Sequence, residues 1–133
     1  MRTFLIVGIS FLLFSLIIAQ DMTPLKVDEI DICTSITDRV PAGADTTFSA
    51  NVEQLYCYTK ISGAADTTTI SHVWYLNGEE KANVSLAVKA ANWRTWSSKR
   101  IPKEWIGDWK VDVVAEDGTI LGSKSFKVKA ASE

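Results

Sequence analysis

Histidine occurs once in this sequence, at His72, and cysteine only twice, at Cys33 and Cys57. Those three residues lack the spacing and the fourth partner of a structural zinc site, and without Cys-x-x-Cys there is no thiol redox motif. A lone histidine with no nucleophile in a recognisable pattern supplies no general-base arrangement. Basic residues are not in excess either: fourteen Lys and Arg face sixteen Asp and Glu, a net charge of −2. Nucleic-acid binding needs a clustered basic face to neutralise phosphates, so that class is excluded, and strong attraction to anionic lipid is unsupported. Carboxylates are available at Glu53, Glu79, Glu80, Glu104 and Glu116, but no flanking pattern singles out two of them as a glycosidase pair. No long 3.6-residue period, internal repeat or low-complexity run is visible. The sequence therefore predicts no enzyme, no cofactor and no metal.

The apolar residues are unevenly spread. Arg2 is followed by Phe4 to Ile18, fifteen residues with nothing more polar than Ser10 and Ser15. That length suits the apolar region of a signal peptide better than a membrane helix, which wants about 20 residues. Ala19 closes the run before polar Gln20-Asp21, which places a cleavage point there, although Ile17 is larger than the small residue preferred three positions before a cut. Residues 1–19 are thus expected to be a signal peptide or a retained anchor, and residues 20–28, with Pro24, a short tether. Membrane contact is expected only through that N-terminal segment if it stays uncleaved. No cysteine stands at the boundary to carry a lipid. Either way the following domain is expected outside the cytoplasm: periplasmic, cell-surface or secreted. The 114 residues left after cleavage are enough for one domain, with a net charge of −3 once Arg2 is gone.

From about residue 29 to 130, short alternating runs recur between turn residues. Ile30, Ile32 and Ile36 alternate in the first, which ends at Pro41-Ala-Gly43. Leu55, Cys57, Thr59 and Ile61 share a face in the second, and Ile70, Trp74 and Leu76 in the third. Asn77-Gly78 then signals a tight hairpin, because both residues accept positive φ. Val84, Leu86 and Val88 follow, then Trp93 to Ile101 with Pro102, then Trp109, Val111 and Val113 with the Asp117-Gly118 turn. Ile120 to Val128 close the series, with Phe126 and Val128 inward, and with Lys127 and Lys129 outward as if blunting an edge strand. Seven short strands in about a hundred residues predict a single immunoglobulin-like β-sandwich. In such domains a third-strand tryptophan packs on the second strand, which here sets Trp74 against Cys57. An aromatic near the start of the sixth strand, here Trp109, pins the crossover.

From about Ile32 to Val128 the chain resembles the bacterial domain-of-unknown-function (DUF) 2914 family. The residues carrying the likeness are Cys33-Thr34, Asp38-Arg39 with Pro41, Leu55-Tyr-Cys-Tyr-Thr59, His72-Val-Trp-Tyr75 and, above all, Trp93-Arg-Thr-Trp-Ser-Ser-Lys-Arg100. Trp105, Gly107, Trp109, Val111, Asp112, Val113 and Phe126 complete it. The resemblance implies a small β-rich module, often exported or membrane-tethered, and implies no activity.

Four features remain as candidates. Export favours a disulfide between Cys33 and Cys57, closing a loop of about 24 residues worth about 3 kcal/mol. Parity opposes it, since Cys57 shares the apolar face of its strand while Cys33 lies opposite Ile30 and Ile32; a bulge near Cys33 would repair this. His72 shares its face with Ile70, Trp74 and Leu76, which predicts a hydrogen-bonded, partly buried imidazole. Asn83-Val-Ser85 fits a glycosylation acceptor, a reading that matters only in a eukaryote. The tryptophans are the fourth feature. Trp93 and Trp96 are an odd number of residues apart, so a regular strand sends them to opposite faces. Trp96 shares parity with Arg94, Ser98 and Arg100, and Trp93 with Thr95, Ser97 and Lys99.

The expected binding surface is accordingly Trp93, Arg94, Trp96, Ser98, Lys99, Arg100 and Trp105, facing an unidentified protein or an envelope glycan. The alternative is that Arg94 stacks on its neighbouring tryptophan and the strand merely covers an open sheet face of a membrane-proximal spacer domain. A hydrolase is the third reading, and it requires a carboxylate cleft.

Overall fold

The computed structural model describes residues 25–131. The expected leader 1–19 and the first part of the tether lie outside the described residues. Among the described residues, no helix is long and apolar enough to cross a membrane.

Alternation of apolar and polar residues sets seven long strands: β1 (Lys26–Cys33), β5 (Gln54–Ser62), β6 (Thr68–Leu76), β7 (Glu79–Val88), β8 (Asn92–Arg100), β9 (Gly107–Ala115) and β10 (Ile120–Lys129). Three strands of three residues each, β2 (Ser35–Thr37), β3 (Val40–Ala42) and β4 (Thr47–Ser49), lie between the first and second long ones. A 3₁₀ turn at Ala50–Val52 leads into β5, and the Ser49 hydroxyl caps it by accepting from Asn51 N–H. One sheet has the order β1-β5-β8, the other β4-β10-β9-β6-β7, and β2-β3 form a separate hairpin. The chain crosses from β1 to the other sheet at β4 and back at β5, then changes sheet between β5 and β6, between β7 and β8, and again between β8 and β9. That is the Greek-key route of an immunoglobulin-like sandwich, which is the fold expected.

Two local readings need correction. Ile36 does not continue the first strand. The chain bends at Thr34, whose N–H donates to the Ala42 carbonyl, and β2 pairs with β3 through a turn in which Asp38 and Arg39 both have positive φ (51° and 63°). Nor do Lys127 and Lys129 blunt an edge, because β4 pairs with them in parallel, Lys127 opposite Thr47 and Lys129 opposite Ser49. The Asn77-Gly78 hairpin forms as read, with both φ values positive (49° and 83°).

The inward faces meet in two apolar clusters. The larger contains Ile32, Leu55, Cys57, Trp74, Trp109, Val111 and Phe126; the smaller contains Ile61, Ile70, Val88 and Val113. Phe126 is the hub of the first, stacked on Trp109 at 5.8 Å and edge-on to Trp74 at 6.2 Å and Phe48 at 6.0 Å. Trp109 donates its indole N–H to the Trp105 carbonyl at 3.0 Å, tying the crossover from β8 to the start of β9.

Between the clusters runs a polar layer, because Thr59 follows Cys57 on β5 and His72 precedes Trp74 on β6 at inward positions. Both side chains are fully buried. His72 Nε2 lies 3.1 Å from Thr59 Oγ1, and Thr59 donates to the Thr95 carbonyl at 3.1 Å. On the other side His72 Nδ1 lies 2.7 Å from Ser97 Oγ, which accepts the Trp74 indole N–H at 3.2 Å. One arrangement satisfies every proton: Nε2–H donates to Thr59, and the Ser97 hydroxyl donates to Nδ1. Burial pushes the His72 imidazole down to about 4, so it stays neutral. The hydrogen bonds expected of His72 from its strand face are present, and the ring is fully rather than partly buried.

Candidate functional site

The strand β8 divides the expected binding surface between two sides of its sheet. Ser97 points into the core, so Trp93, Thr95 and Lys99 share its side while Arg94, Trp96, Ser98 and Arg100 face out. Trp93 is half-buried and packs against the smaller apolar cluster. Lys99 places its ammonium 5.1 Å from the centroid of the Trp105 ring, and Lys81 of β7 places its own at 4.5 Å. Trp105, half-buried, is tilted against Trp109 at a centroid distance of 6.2 Å and seals the larger cluster. The structure therefore does not bring Trp93, Lys99 and Trp105 together with Arg94, Trp96, Ser98 and Arg100. Four of the five tryptophans serve the core or its rim, and Trp96 alone stands on the outer face.

Register shows what accompanies it. Across β1, β5 and β8 the outward residues align in rungs: Glu29, Lys60 and Arg94; then Asp31, Tyr58 and Trp96; then Cys33, Tyr56 and Ser98; and last Gln54 with Arg100. An aromatic band of Tyr58, Trp96 and Tyr56 thus crosses the middle of the face, with one arginine beyond each end. Sequence reading missed Tyr56 and Tyr58, although both have outward parity on their strand. Tyr58 points away from the core yet is only 2% exposed. That burial pushes its phenol up, while the charges of Arg94 and of Arg39, in the β2–β3 turn, pull it back. Tyr56 and Trp96 remain half-exposed. On β1 the Glu29 carboxyl is raised, first by its hydrogen bond with Asp31, with Lys60 and Arg94 opposing.

At the Gln54–Arg100 end the face opens into a groove of about 460 Å³ lined by Thr34, Val52, Glu53, Gln54, Tyr56 and Arg100. Glu53 enters β5 with φ 64° and ψ −41°, and its carbonyl accepts the Ile101 N–H at 2.8 Å. A second, larger groove of about 800 Å³ lies on the other sheet, where Tyr75, Asp108, Lys110, Ser125 and Lys127 line it. Its charged groups are already engaged: Lys127 with Asp108 at 3.8 Å, and Lys110 both with Asp112 at 3.5 Å and over the Tyr75 ring.

The two cysteines stand as separate buried thiols. Register explains why they do not form the bridge that export would favour. Cys57 is paired with Ile32 and faces the core, whereas Cys33 is paired with Tyr56 on the opposite face. The one irregularity of this strand pair lies between Val27 and Glu29, too far back to turn Cys33 round. Burial raises both thiols and leaves them unreactive. Among the described residues no group of three or more His, Cys, Asp and Glu side chains is placed to hold a metal. Asn83 and Ser85 of the glycosylation triplet are both exposed on β7.

No curated protein matches the sequence. Among solved structures, a beta-glucosidase from Listeria innocua in complex with glucose is similar, with a TM-score of 0.49, 12% identity and coverage of 83% of this chain and 16% of that one. A beta-glucosidase from Kluyveromyces marxianus in complex with glucose has a TM-score of 0.45 and 12% identity, covering 79% of this chain and 13% of its own. The chain thus spans a sixth or less of the length of these enzymes. Residues 67–128, which include all of β6 to β9 and all but the last residue of β10, match the model of the family described as "Protein of unknown function (DUF2914)", the family that the sequence resembles.

Proposed function

We propose that this domain is a non-catalytic, extracytoplasmic binding module that takes an envelope glycan on the outer face of β1-β5-β8. The observation that carries the reading is the position of Trp96, a tryptophan the core does not use, flanked on its own strand by Arg94 and Ser98, with Arg100 one outward position further on, and across it by tyrosines. A ring presented beside guanidinium and hydroxyl groups stacks on the C–H face of a sugar while its neighbours bond the hydroxyls. A hydrophobic protein interface is less well matched, because among the described residues the exposed large apolar ones are Val40, Ile106 and Ile120, none of them on this face. The non-catalytic part rests on access. The closest hydroxyl–imidazole pair, Ser97 and His72, is sealed between the sheets where no substrate reaches it. The extracytoplasmic part rests on the apolar run from Phe4 to Ile18.

Cosedimentation of the full chain with insoluble cell-wall glycan tests the reading. Wild type is expected in the pellet, and Trp96→Ala is expected to weaken binding about tenfold or more, as for a hot-spot aromatic, with the fold intact by circular dichroism. Equal binding by Trp96→Ala, or none by wild type, sinks the glycan reading. A second reading is favoured by the near-complete burial of Tyr58: the aromatics and arginines cover one another, and the domain is a spacer. In that case Trp96→Ala lowers the unfolding midpoint, and wild type binds nothing.

A further inference from the structure

The groove at the Gln54–Arg100 end of the face has three properties that belong together. First, its charges are opposite and unspent. The Glu53 and Arg100 backbones are neighbours, with Ile101 N–H bonded to the Glu53 carbonyl. Yet among the described residues neither the Glu53 carboxylate nor the Arg100 guanidinium makes an ion pair or a side-chain hydrogen bond. Second, an aromatic ring, Tyr56, is the end of the aromatic band nearest to them, half-exposed on the same face. Third, Glu53 is held where glutamate is strained. A φ of 64° with ψ of −41° lies outside even the small left-handed well that L-residues visit. Glycine would relieve that strain, so the carboxylate side chain stays at a conformational cost.

We propose that this groove is the subsite for one neutral sugar ring of the bound glycan, with Tyr56 as the stacking surface. Arg100 and Gln54 donate to ring hydroxyls, and the Glu53 carboxylate accepts from them. A carboxylate and a guanidinium set apart around one aromatic ring match a diol, each of whose hydroxyls both donates and accepts. The volume of about 460 Å³ lies within the range of small-molecule sites. This inference rests on the reading of the outer face as a glycan surface, and it adds the end of the face at which a ring is held and the residues that hold it.

The test is a titration of the full 133-residue chain, ¹⁵N-labelled and kept in a polyoxyethylene detergent that carries no sugar. The probes are cellotetraose, chitotetraose and, as a zwitterionic control, diglycine. One tetrasaccharide or both should shift the amides of Glu53, Gln54, Tyr56 and Arg100. Glu53→Gln should weaken that binding by about tenfold, the loss expected for one charged hydrogen bond. Glu53→Gly should weaken it equally while raising the unfolding midpoint by about 4–8 °C, which a merely structural glutamate would not do. Shifts confined to Asp31, Tyr58, Arg94 and Trp96 overturn the groove and leave the glycan reading of the face standing. Shifts with diglycine alone, or none with any probe, overturn the sugar subsite, as does undiminished binding by Glu53→Gly.

Discussion

Ser97 Oγ stands 2.7 Å from Nδ1 of His72, so a hydroxyl from the three-stranded sheet is bonded to an imidazole from the five-stranded one. With Thr59 on the other ring nitrogen and the Trp74 indole on Ser97, the two sheets are joined by directional bonds in the middle of the core. Apolar contact alone lets sheets slide at small cost; a fully satisfied polar layer fixes one offset. The same layer carries a penalty for charging the ring. An imidazolium would donate from both nitrogens, and Ser97 would then face two donors with its own proton left over.

Acid should therefore weaken this fold through His72. Its folded value is about 4 against an ordinary 6.5. As pH falls through 6.5 the unfolded chain takes up a proton that the folded chain refuses. The stability His72 gives is complete above that value and is lost progressively down to about 4, a total of about 3 kcal/mol. Urea titrations of wild type and His72→Gln between about pH 7.5 and 4 measure it. The mutant should be less stable at neutral pH but lose less on acidification; parallel losses would show that the ring is not the titrating group.

Ser97→Ala removes the donor to His72 and the acceptor of Trp74 together. Two buried polar groups lose partners, for a cost of about 2–4 kcal/mol. Ser98→Ala, one residue on and facing out, should cost less than about 0.5 kcal/mol. Denaturant midpoints give both numbers. Comparable losses at the two positions would mean that the hydroxyl contributes nothing beyond its strand.

Much of this architecture is legible in the amino-acid pattern. The long strands follow from two-residue alternation, because the inward residues Leu55, Cys57, Thr59 and Ile61, or Ile70, Trp74 and Leu76, have to be on one side. Parity also separates Trp93 from Trp96. It does not tell which of the two faces out; the facing sheet decides that, by taking Ser97 as a partner. Three-residue strands are too short to show a period, so β2, β3 and β4 leave no trace. The β2–β3 turn hides as well, since Arg39 at positive φ is no turn signal. Trp105 lies in a loop, where no alternation assigns it a side. The groove depends on the backbone angle of Glu53, which residue type argues against.

The thiols provide a chemical check on the β1–β5 register. With Cys57 inward and Cys33 outward, both buried and both raised by desolvation, neither should react with a thiol reagent in the native state. Unfolding without reductant should release two reactive thiols per chain, and the unfolding midpoint should be the same with and without reductant. A chain that yields thiols only after reduction would require β1 to shift by one residue at its end.

Gly107 provides the last test, at the point where the two long hairpins meet. Its φ is +139°, and a Cβ there would come within 2.8 Å of the Asn77 side-chain amide. That amide is not free to yield, because Asn77 Oδ1 accepts the Asp108 N–H at 3.0 Å and Asn77 N–H donates to the Asp108 carbonyl at 2.7 Å. Gly107→Ala thus meets backbone strain and breaks the clasp between the β6–β7 turn and the start of β9, for a cost of about 2–4 kcal/mol. Gly78, in the same turn, also has positive φ (+83°), but a Cβ there would meet open space. Gly78→Ala should cost only about 1 kcal/mol, the strain alone. The order of the two, read from thermal midpoints, is the point at issue: if Gly78→Ala proves the more damaging, the hairpin itself and not its clasp on β9 positions this end of the sandwich.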